Sequence, residues 1–296
     1  METAMRYDDI SMVVTYVLII HFLRACKLFL ERNKMSLIDA VLEKDLKKVL
    51  ELISAGAKLD TKDKDGRTAL VYASLYGHFK IGLALISAGA NLDTKDKSGN
   101  TALIWASCNG HSKIGLALVA TGAKLDIQNK YSRTALVYAS LYGHSKIGLA
   151  LIAAGANLDI QDKDGMTALI WASCNGHSKI GLALVSTGAK LDTKNKDGRT
   201  ALVYASLYGH SKIGLVLISA GVNLDFQDKY GRTPLIYASY NGQSKISKAI
   251  ENWKQTPRSL KFSIHIYISK NNIDTSKTPF LLLDRNNIEK EIKCHL

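Results

Sequence analysis

The residues of this chain best suited to chemistry are histidine, cysteine and aspartate, and they recur at regular intervals. His78, His111, His144, His177 and His210 stand 33 residues apart, with Gln243 at the sixth place. A ladder of imidazoles suggests a metal, but ligands must converge on one ion, and a fixed long interval spreads them apart. Each histidine directly follows a glycine, which favours a structural place beside a turn. The cysteines are Cys26, Cys108, Cys174 and Cys294, without a close C-x-x-C or Cys/His spacing for zinc. Aspartates such as Asp63, Asp96 and Asp162 fall in turn-forming stretches, where side-chain bonds to the backbone account for them. There is no Gly-rich phosphate loop, no nucleophile motif and no H-E-x-x-H. The expectation is therefore no enzyme, no metal and no cofactor.

The interval of these residues belongs to a longer phrase. Gly66 to Ala90 reads GRTALVYASLYGHFKIGLALISAGA and recurs five more times, with its threonine at Thr68, Thr101, Thr134, Thr167, Thr200 and Thr233. Self-similarity at a short fixed period means stacked units that bury their apolar faces only against neighbours. Within a unit, Thr68 can cap a first helix, Leu70 and Ala73 share one face, and Gly77 can end the helix in the left-handed conformation. Ile81, Leu85 and Ala88 mark a second helix that Gly89 closes. Asp65-Gly66 signals a tight hairpin turn between units. Pro234 follows Thr233 at a first helical position, where proline is favoured.

The 33-residue period and the T-A-L-V-Y-A and G-H phrases resemble the ankyrin repeat, whose signature is T-P-L-H-x-A. The resemblance runs from Ser36 to about Trp253. It implies an all-α solenoid of stacked helix-turn-helix units with hairpin loops, seven units including two caps. The signature histidine is replaced in every copy, by Val71, Ile104, Val137, Ile170, Val203 and Ile236. In the family that histidine supports hydrogen bonds between repeats, so a purely apolar junction is expected here. Cys108 and Cys174 occupy one position two repeats apart. At about 8–10 Å per stacked helix they lie beyond disulfide reach, and free thiols fit a reducing, cytoplasmic compartment.

Units opening at Thr68, Thr134 and Thr200 read TALVYASLYGH, and those at Thr101 and Thr167 read TALIWASCNGH. This alternation points to duplication of a repeat pair, or to a partner that is itself periodic. An aromatic stripe, Tyr72, Trp105, Tyr138, Trp171, Tyr204 and Tyr237, is expected to pack between repeats. A second stripe is unusual: Gly82, Gly115, Gly148, Gly181 and Gly214 lie inside the second helix, each followed by Leu83, Leu116, Leu149, Leu182 or Leu215. Either the glycine lets the helix rotate and bury the leucine, or the leucines form a ridge on the outer face.

Residues 35–253 form the repeat domain. The stretch 36–60 lacks a hairpin and carries Lys48 where the next copy has Ile81, as an N-terminal cap should. Ser247 and Lys248 replace the Gly-Leu pair in the C-terminal cap. Residues 1–34 differ: Ile10 to Leu23 is apolar and is followed by Arg24, Lys27, Arg32 and Lys34. Three readings stand open there: a membrane anchor or membrane-lying helix over about residues 10–30, a helix packed on the first repeat, or a start at Met35. As an anchor, the basic flank would place the repeats on the cytoplasmic side. The basic tail 254–296 carries no motif, and a strand hairpin on the stack and disorder are equally open.

Formal charge is +13, which raises the odds of an acidic partner, although solvated loop lysines give the same balance. Ankyrin relatives bind proteins on the concave side, and the resemblance carries this to helix positions Leu75, Tyr76, Cys108, Asn109, Leu141, Tyr142, Cys174, Asn175, Leu207, Tyr208, Tyr240 and Asn241. The hairpin positions are Lys64, Lys97, Lys130, Lys163, Lys196 and Lys229, with Tyr131 and Tyr230. The expected surface is a groove floored by tyrosine and leucine and edged with positive charge. Its complement is a protein or extended peptide bearing acidic residues. The alternatives are nucleic acid or an anionic surface bound through the lysine rim, and a membrane-tethered adaptor.

Overall fold

The computed structural model describes residues 35–256, and the expectations for residues 1–34 and for the tail beyond Thr256 lie outside the described residues. Among the described residues there are fourteen helices in pairs and no strands. The first pair is α1 (Leu37–Leu42) and α2 (Leu46–Ser54). Five pairs of one pattern follow: α3 (Ala69–Tyr76) with α4 (Phe79–Ser87), α5 (Ala102–Cys108) with α6 (Ser112–Ala120), and α7 (Ala135–Tyr142) with α8 (Ser145–Ala153). Next come α9 (Ala168–Cys174) with α10 (Ser178–Ser186) and α11 (Ala201–Tyr208) with α12 (Ser211–Ser219). The last pair is α13 (Pro234–Tyr240) and α14 (Ser244–Gln255), the latter ending two residues past Trp253.

Local chemistry sets the helix ends. The Thr68 hydroxyl accepts from the Val71 N–H at 3.4 Å, and the five later threonines cap in the same way. Ser36 and Asp39 form a reciprocal capping box at the open end of the stack. Gly77 closes α3 at φ 72°, and no side chain could stand there, because a Cβ would lie 2.5 Å from the His111 ring of the next unit.

The first helices stack on one another in one row and the second helices in another. In the first row the contacts are Ala69, Ala73, Ala102, Ala106 and their counterparts, all buried. Small residues let these helices, the inner row, pack closely on one another. Ile81, Leu85, Ile114, Leu118, Ile147 and Leu151 fill the space between the rows and make one continuous core.

Two expectations are resolved here. Helix rotation does not bury the leucines: Leu83, Leu116 and Leu149 remain 43%, 41% and 41% exposed, and only Leu182 and Leu215 are half-buried. The glycines have another cause. A Cβ at Gly82 would stand 2.2 Å from Cδ1 of Ile114, and one at Gly115 2.0 Å from Cδ1 of Ile147. Each mid-helix glycine is the seat of the next unit's isoleucine. The close fit offsets a helix-propensity loss of about 1 kcal/mol per glycine.

The purely apolar junction is a correction. Val71 and its counterparts up to Val203 are buried and dry, as expected, but hydrogen bonds between units arise elsewhere. The Nε2 atoms of His111, His144, His177 and His210 lie 3.0–3.2 Å from the carbonyls of Leu75, Cys108, Leu141 and Cys174. Those carbonyls end the preceding unit's first helix and have no partner within it. In the turns, each lysine N–H donates to the previous turn, as Lys97 does to the Asp65 carbonyl at 2.8 Å. Asn91 N–H likewise donates to Asp60 Oδ1 at 2.9 Å, and the bond recurs down the stack.

Candidate binding groove

The C-terminal ends of the inner row and the turn tips are both open to solvent. Tyr76, Tyr142 and Tyr208 are exposed there and close every second first helix. Each is held in place by the fold. Tyr76 stacks at 6.1 Å on buried Tyr72 and at 5.8 Å on His78. Tyr142 and Tyr208 stack likewise on Tyr138 and Tyr204 at 6.3 Å, and their rings lie tilted against His144 and His210 at 6.2 and 6.3 Å. A ring fixed on both sides loses little freedom when it meets a partner.

The remaining predicted positions divide by exposure. Leu75, Leu141, Leu207, Cys108 and Cys174 are half-buried and packed on the core. Burial pushes both cysteine thiols up, away from the reactive thiolate. Asn109 and Asn175 are exposed, but each side chain donates back to the stack, to the Leu75 and Leu141 carbonyls at 2.9 and 3.0 Å. Asn241 bonds its own helix at the Tyr237 carbonyl, and Tyr240 stands clear at 89% exposure. Of the helix positions, therefore, the tyrosines are the side chains offered outward.

At the turns, Lys64, Lys97, Lys130, Lys163, Lys196 and Lys229 are all exposed. The rim is less uniformly positive than the sequence suggests. Lys229 is ion-paired with Asp197, and Asp65, Asp164 and Asp197 follow Lys64, Lys163 and Lys196 in the tips. Lys97 and Lys130 are followed by Ser98 and Tyr131, so the uncompensated charge is central. Tyr131 and Tyr230 are both exposed, and Arg232 lies 4.6 Å from the centre of the Tyr230 ring. An apolar cleft lined by Met35, Leu37, Ile38, Leu52 and Leu59 lies at the N-terminal end of the stack.

Beneath the turns runs a network that reading the sequence alone missed. In every repeat the aromatic of the first helix bonds the residue nine positions earlier. Tyr72 donates to Asp63 at 2.6 Å, Trp105 to Asp96 at 2.9 Å, and Asn129 donates to the Tyr138 hydroxyl at 2.9 Å. Arginines from the preceding unit complete it in every second junction. Arg67 reaches Asp96 at 3.8 Å, Arg133 reaches Asp162 at 3.0 Å and Arg199 reaches Asp228 at 3.4 Å. Each guanidinium lies between two rings, Arg133 at 5.8 Å from Tyr138 and 5.2 Å from Trp171. Where the preceding unit has Asn100 or Met166 instead, the next unit has neutral Asn129 or Asn195. Burial pushes the Asp228 carboxyl up, but bonds from Tyr237, two backbone N–H groups and Arg199 outweigh it and hold it below its usual range. The signal was present in the sequence as Arg and Asp alternating in step, 29 residues apart.

Known proteins share this architecture. The family described as ankyrin repeats (3 copies) matches residues 37–129, 116–195 and 182–254. Among solved structures, the ankyrin repeat domain of Bcl-3, described as a unique member of the IkappaB protein family, is similar. It has 25% identity and a TM-score of 0.65, over 74% of this chain and 98% of that one. No curated protein matches the sequence. Ankyrin repeats are in general protein–protein interaction modules. With the family matched along most of its length and its helix pairs stacked in register, this chain belongs to the ankyrin repeat family.

Proposed function

We propose that the protein is an interaction module that grips an extended peptide or protein face along its inner groove. The observation that carries this reading is the row of Tyr76, Tyr142 and Tyr208, exposed and each clamped between a second tyrosine and a histidine. Rigid aromatic anchors give contact area at small entropic cost and are enriched among binding hot spots. Lys97 and Lys130, which no exposed carboxylate follows in the tips, favour acidic residues on the partner opposite the centre of the rim. Neighbouring anchors are two repeats apart, about 20 Å at the usual helix spacing. That is about six residues of extended chain.

The test is selection of displayed random peptides on the full-length chain, followed by titration of the enriched peptides. Apolar or aromatic residues at that interval, with acidic residues between them, are expected. Affinity should fall by more than tenfold in Tyr142→Ala plus Tyr208→Ala and change little with moderate salt. Steep salt dependence with no effect of the tyrosine changes would instead favour nucleic acid held by the lysines.

A further inference from the structure

We infer that the face opposite the groove, the outer row of second helices, is a docking surface for an anionic lipid surface. On α4, α6 and α8 the exposed positions lie at i, i+3 and i+7: Lys80, Leu83 and Ser87; Lys113, Leu116 and Ala120; Lys146, Leu149 and Ala153. Helices α10 and α12 continue the row with exposed Lys179 and Lys212, and α14 with Lys245 and Lys248. The five helices from α4 to α12 contain no aspartate or glutamate. The nearest recurring acids are in the loops beyond their C-terminal ends. Asp93, Asp126, Asp159 and Asp192 there accept backbone N–H bonds from the next unit at 2.8–3.0 Å. Across these five central helices the outer face thus carries only cations with a leucine three residues on, and carboxylates enter the outer row only in the end helices, as Glu51 and Glu251.

The lysine is also at an unfavourable end of its helix. It lies in the first turn, where the macrodipole disfavours a cation. Every second helix from α4 to α14 nevertheless carries it. The pairing of charges and leucines selects the occupant. A second copy facing this row would bring lysine against lysine. Nucleic acid would meet the lysines, but the row has no exposed aromatic on which a base could stack. An anionic bilayer surface satisfies both features, because headgroups attract the ammonium groups and the interfacial region receives the leucines. The run Ile10–Leu23 with its basic flank is a separate sequence feature of the same chemical character.

The experiment is co-sedimentation of the full-length chain with vesicles of phosphatidylcholine alone or with about one-third phosphatidylserine. Lys113→Gln, Lys146→Gln and Lys179→Gln together are compared with Lys97→Gln, Lys130→Gln and Lys163→Gln together, which remove the same formal charge from the groove rim. All six lysines are exposed, so both variants keep the fold. The outer-face triple should lose about a hundredfold in affinity for the anionic vesicles. The rim triple should lose no more than a few-fold. Leu83→Ser, Leu116→Ser and Leu149→Ser together should lose at least about tenfold. Any of four results overturns the inference: equal losses in the two lysine triples, wild-type binding by the outer-face triple, a dimer in solution that the leucine changes dissociate, or loss of single-stranded RNA binding without loss of vesicle binding. Because the groove is untouched by the outer-face changes, this outcome is independent of the peptide reading.

Discussion

The Nε atom of Arg133 lies 3.0 Å from Oδ2 of Asp162, one repeat further along the stack, and the same oxygen accepts from Nε1 of Trp171 at 3.0 Å. The other oxygen of Asp162 accepts from the N–H groups of Asp164 and Met166 at 2.9 and 3.0 Å. The two backbone N–H groups could equally be met by an amide oxygen, as Asn129 does for Tyr131 and Arg133, but the Arg133 and Trp171 donors need a second acceptor oxygen, which only a carboxylate supplies. Asparagine in its place would aim an amide N–H at two other donors. Asp162→Asn should therefore lower unfolding free energy by about 2–4 kcal/mol. Asn129→Asp fails for the opposite reason, because a buried carboxylate would face Asn100 with no arginine from the preceding unit, at a cost of about 2 kcal/mol. Adding Asn100→Arg to Asn129→Asp should recover most of that loss by recreating the junction found at Arg199, Asp228 and Tyr237. Urea unfolding of wild type, Asn129→Asp, Asn100→Arg and the double variant closes a mutant cycle, with Asp162→Asn measured beside them, and non-additivity below about 0.5 kcal/mol would mean the pair does not couple.

The histidines give the stack a pH dependence whose sign follows from burial. Desolvation lowers the His177 pKa, the bond to the Leu141 carbonyl opposes this, and repulsion from His144 and His210 adds to the lowering, with a net fall below 6.5. Burial lowers His78 as well. The unfolded chain then takes up protons before the folded one does. Stability is fully present above about pH 6.5 and is lost as pH falls from there through the folded value. Urea midpoints measured from about pH 7 to about pH 5 should decline. His177→Gln, the residue already found at Gln243, should flatten that decline. The carboxylates act lower: Asp63 and Asp228, both held below their usual range, lose their contribution only under about pH 4. An unchanged slope in the glutamine variant would assign the midpoint shift to other groups.

Much of this architecture is legible in the sequence because each repeat repeats its punctuation. Thr68, Gly77 and Gly89 mark helix ends by backbone chemistry that acts within a few residues, so their spacing alone gives the pairs. Mutual burial then requires the stack. Arg133 and Asp162 are different. They meet across a junction, and nothing local to either residue announces the contact. The leucine stripe is intermediate: Leu149 is visible as a periodic residue, but its exposure depends on how closely Ile180 enters the seat at Gly148, which is a matter of packing. In the groove, Asn109 and Tyr76 read alike as exposed helix ends. Only the geometry separates the amide turned back to Leu75 from the ring turned outward.

Ser132 holds a turn position where five other repeats have glycine, and its φ is 58°. A residue with a Cβ is strained in the left-handed region, whereas glycine enters it freely. Part of the gain from Ser132→Gly is offset by the greater freedom of glycine in the unfolded chain. The expected net gain is about 0.5–1 kcal/mol, read as a rise in thermal midpoint. A fall would show that the Ser132 side chain contributes more than its backbone strain costs.

A row of buried hydroxyls offers a second stabilising change. Ser74, Ser107, Ser140, Ser173 and Ser206 are fully buried in the first helices, and their Oγ atoms have no hydrogen-bond partner. Leaving a hydroxyl unpaired in the interior costs about 1 kcal/mol or more. Ser140→Ala removes the group without adding volume and should raise stability by about that amount. Destabilisation on urea unfolding would instead mean the hydroxyl contributes to the junction.

Alternating Arg–Asp and neutral junctions also dictate which repeats can be neighbours. Two deletions of equal length test this, since both leave one repeat fewer. Removing residues 99–131 joins Ser98 to Ser132 and keeps Arg67 opposite Asp96 and Arg133 opposite Asp162. Removing residues 125–157 joins Lys124 to Leu158 and deletes Arg133, so that Asp162 meets Asn100 with no cation. Nearest-neighbour additivity in a solenoid predicts similar losses if junctions are interchangeable. A carboxylate buried without its guanidinium should instead make the second protein less stable than the first by about 2–4 kcal/mol. Restoring the cation with Asn100→Arg in the second deletion should close most of that gap. Equal denaturation midpoints for the two deletions would show that the order of repeats is free, and that the arginine pairs do not specify it.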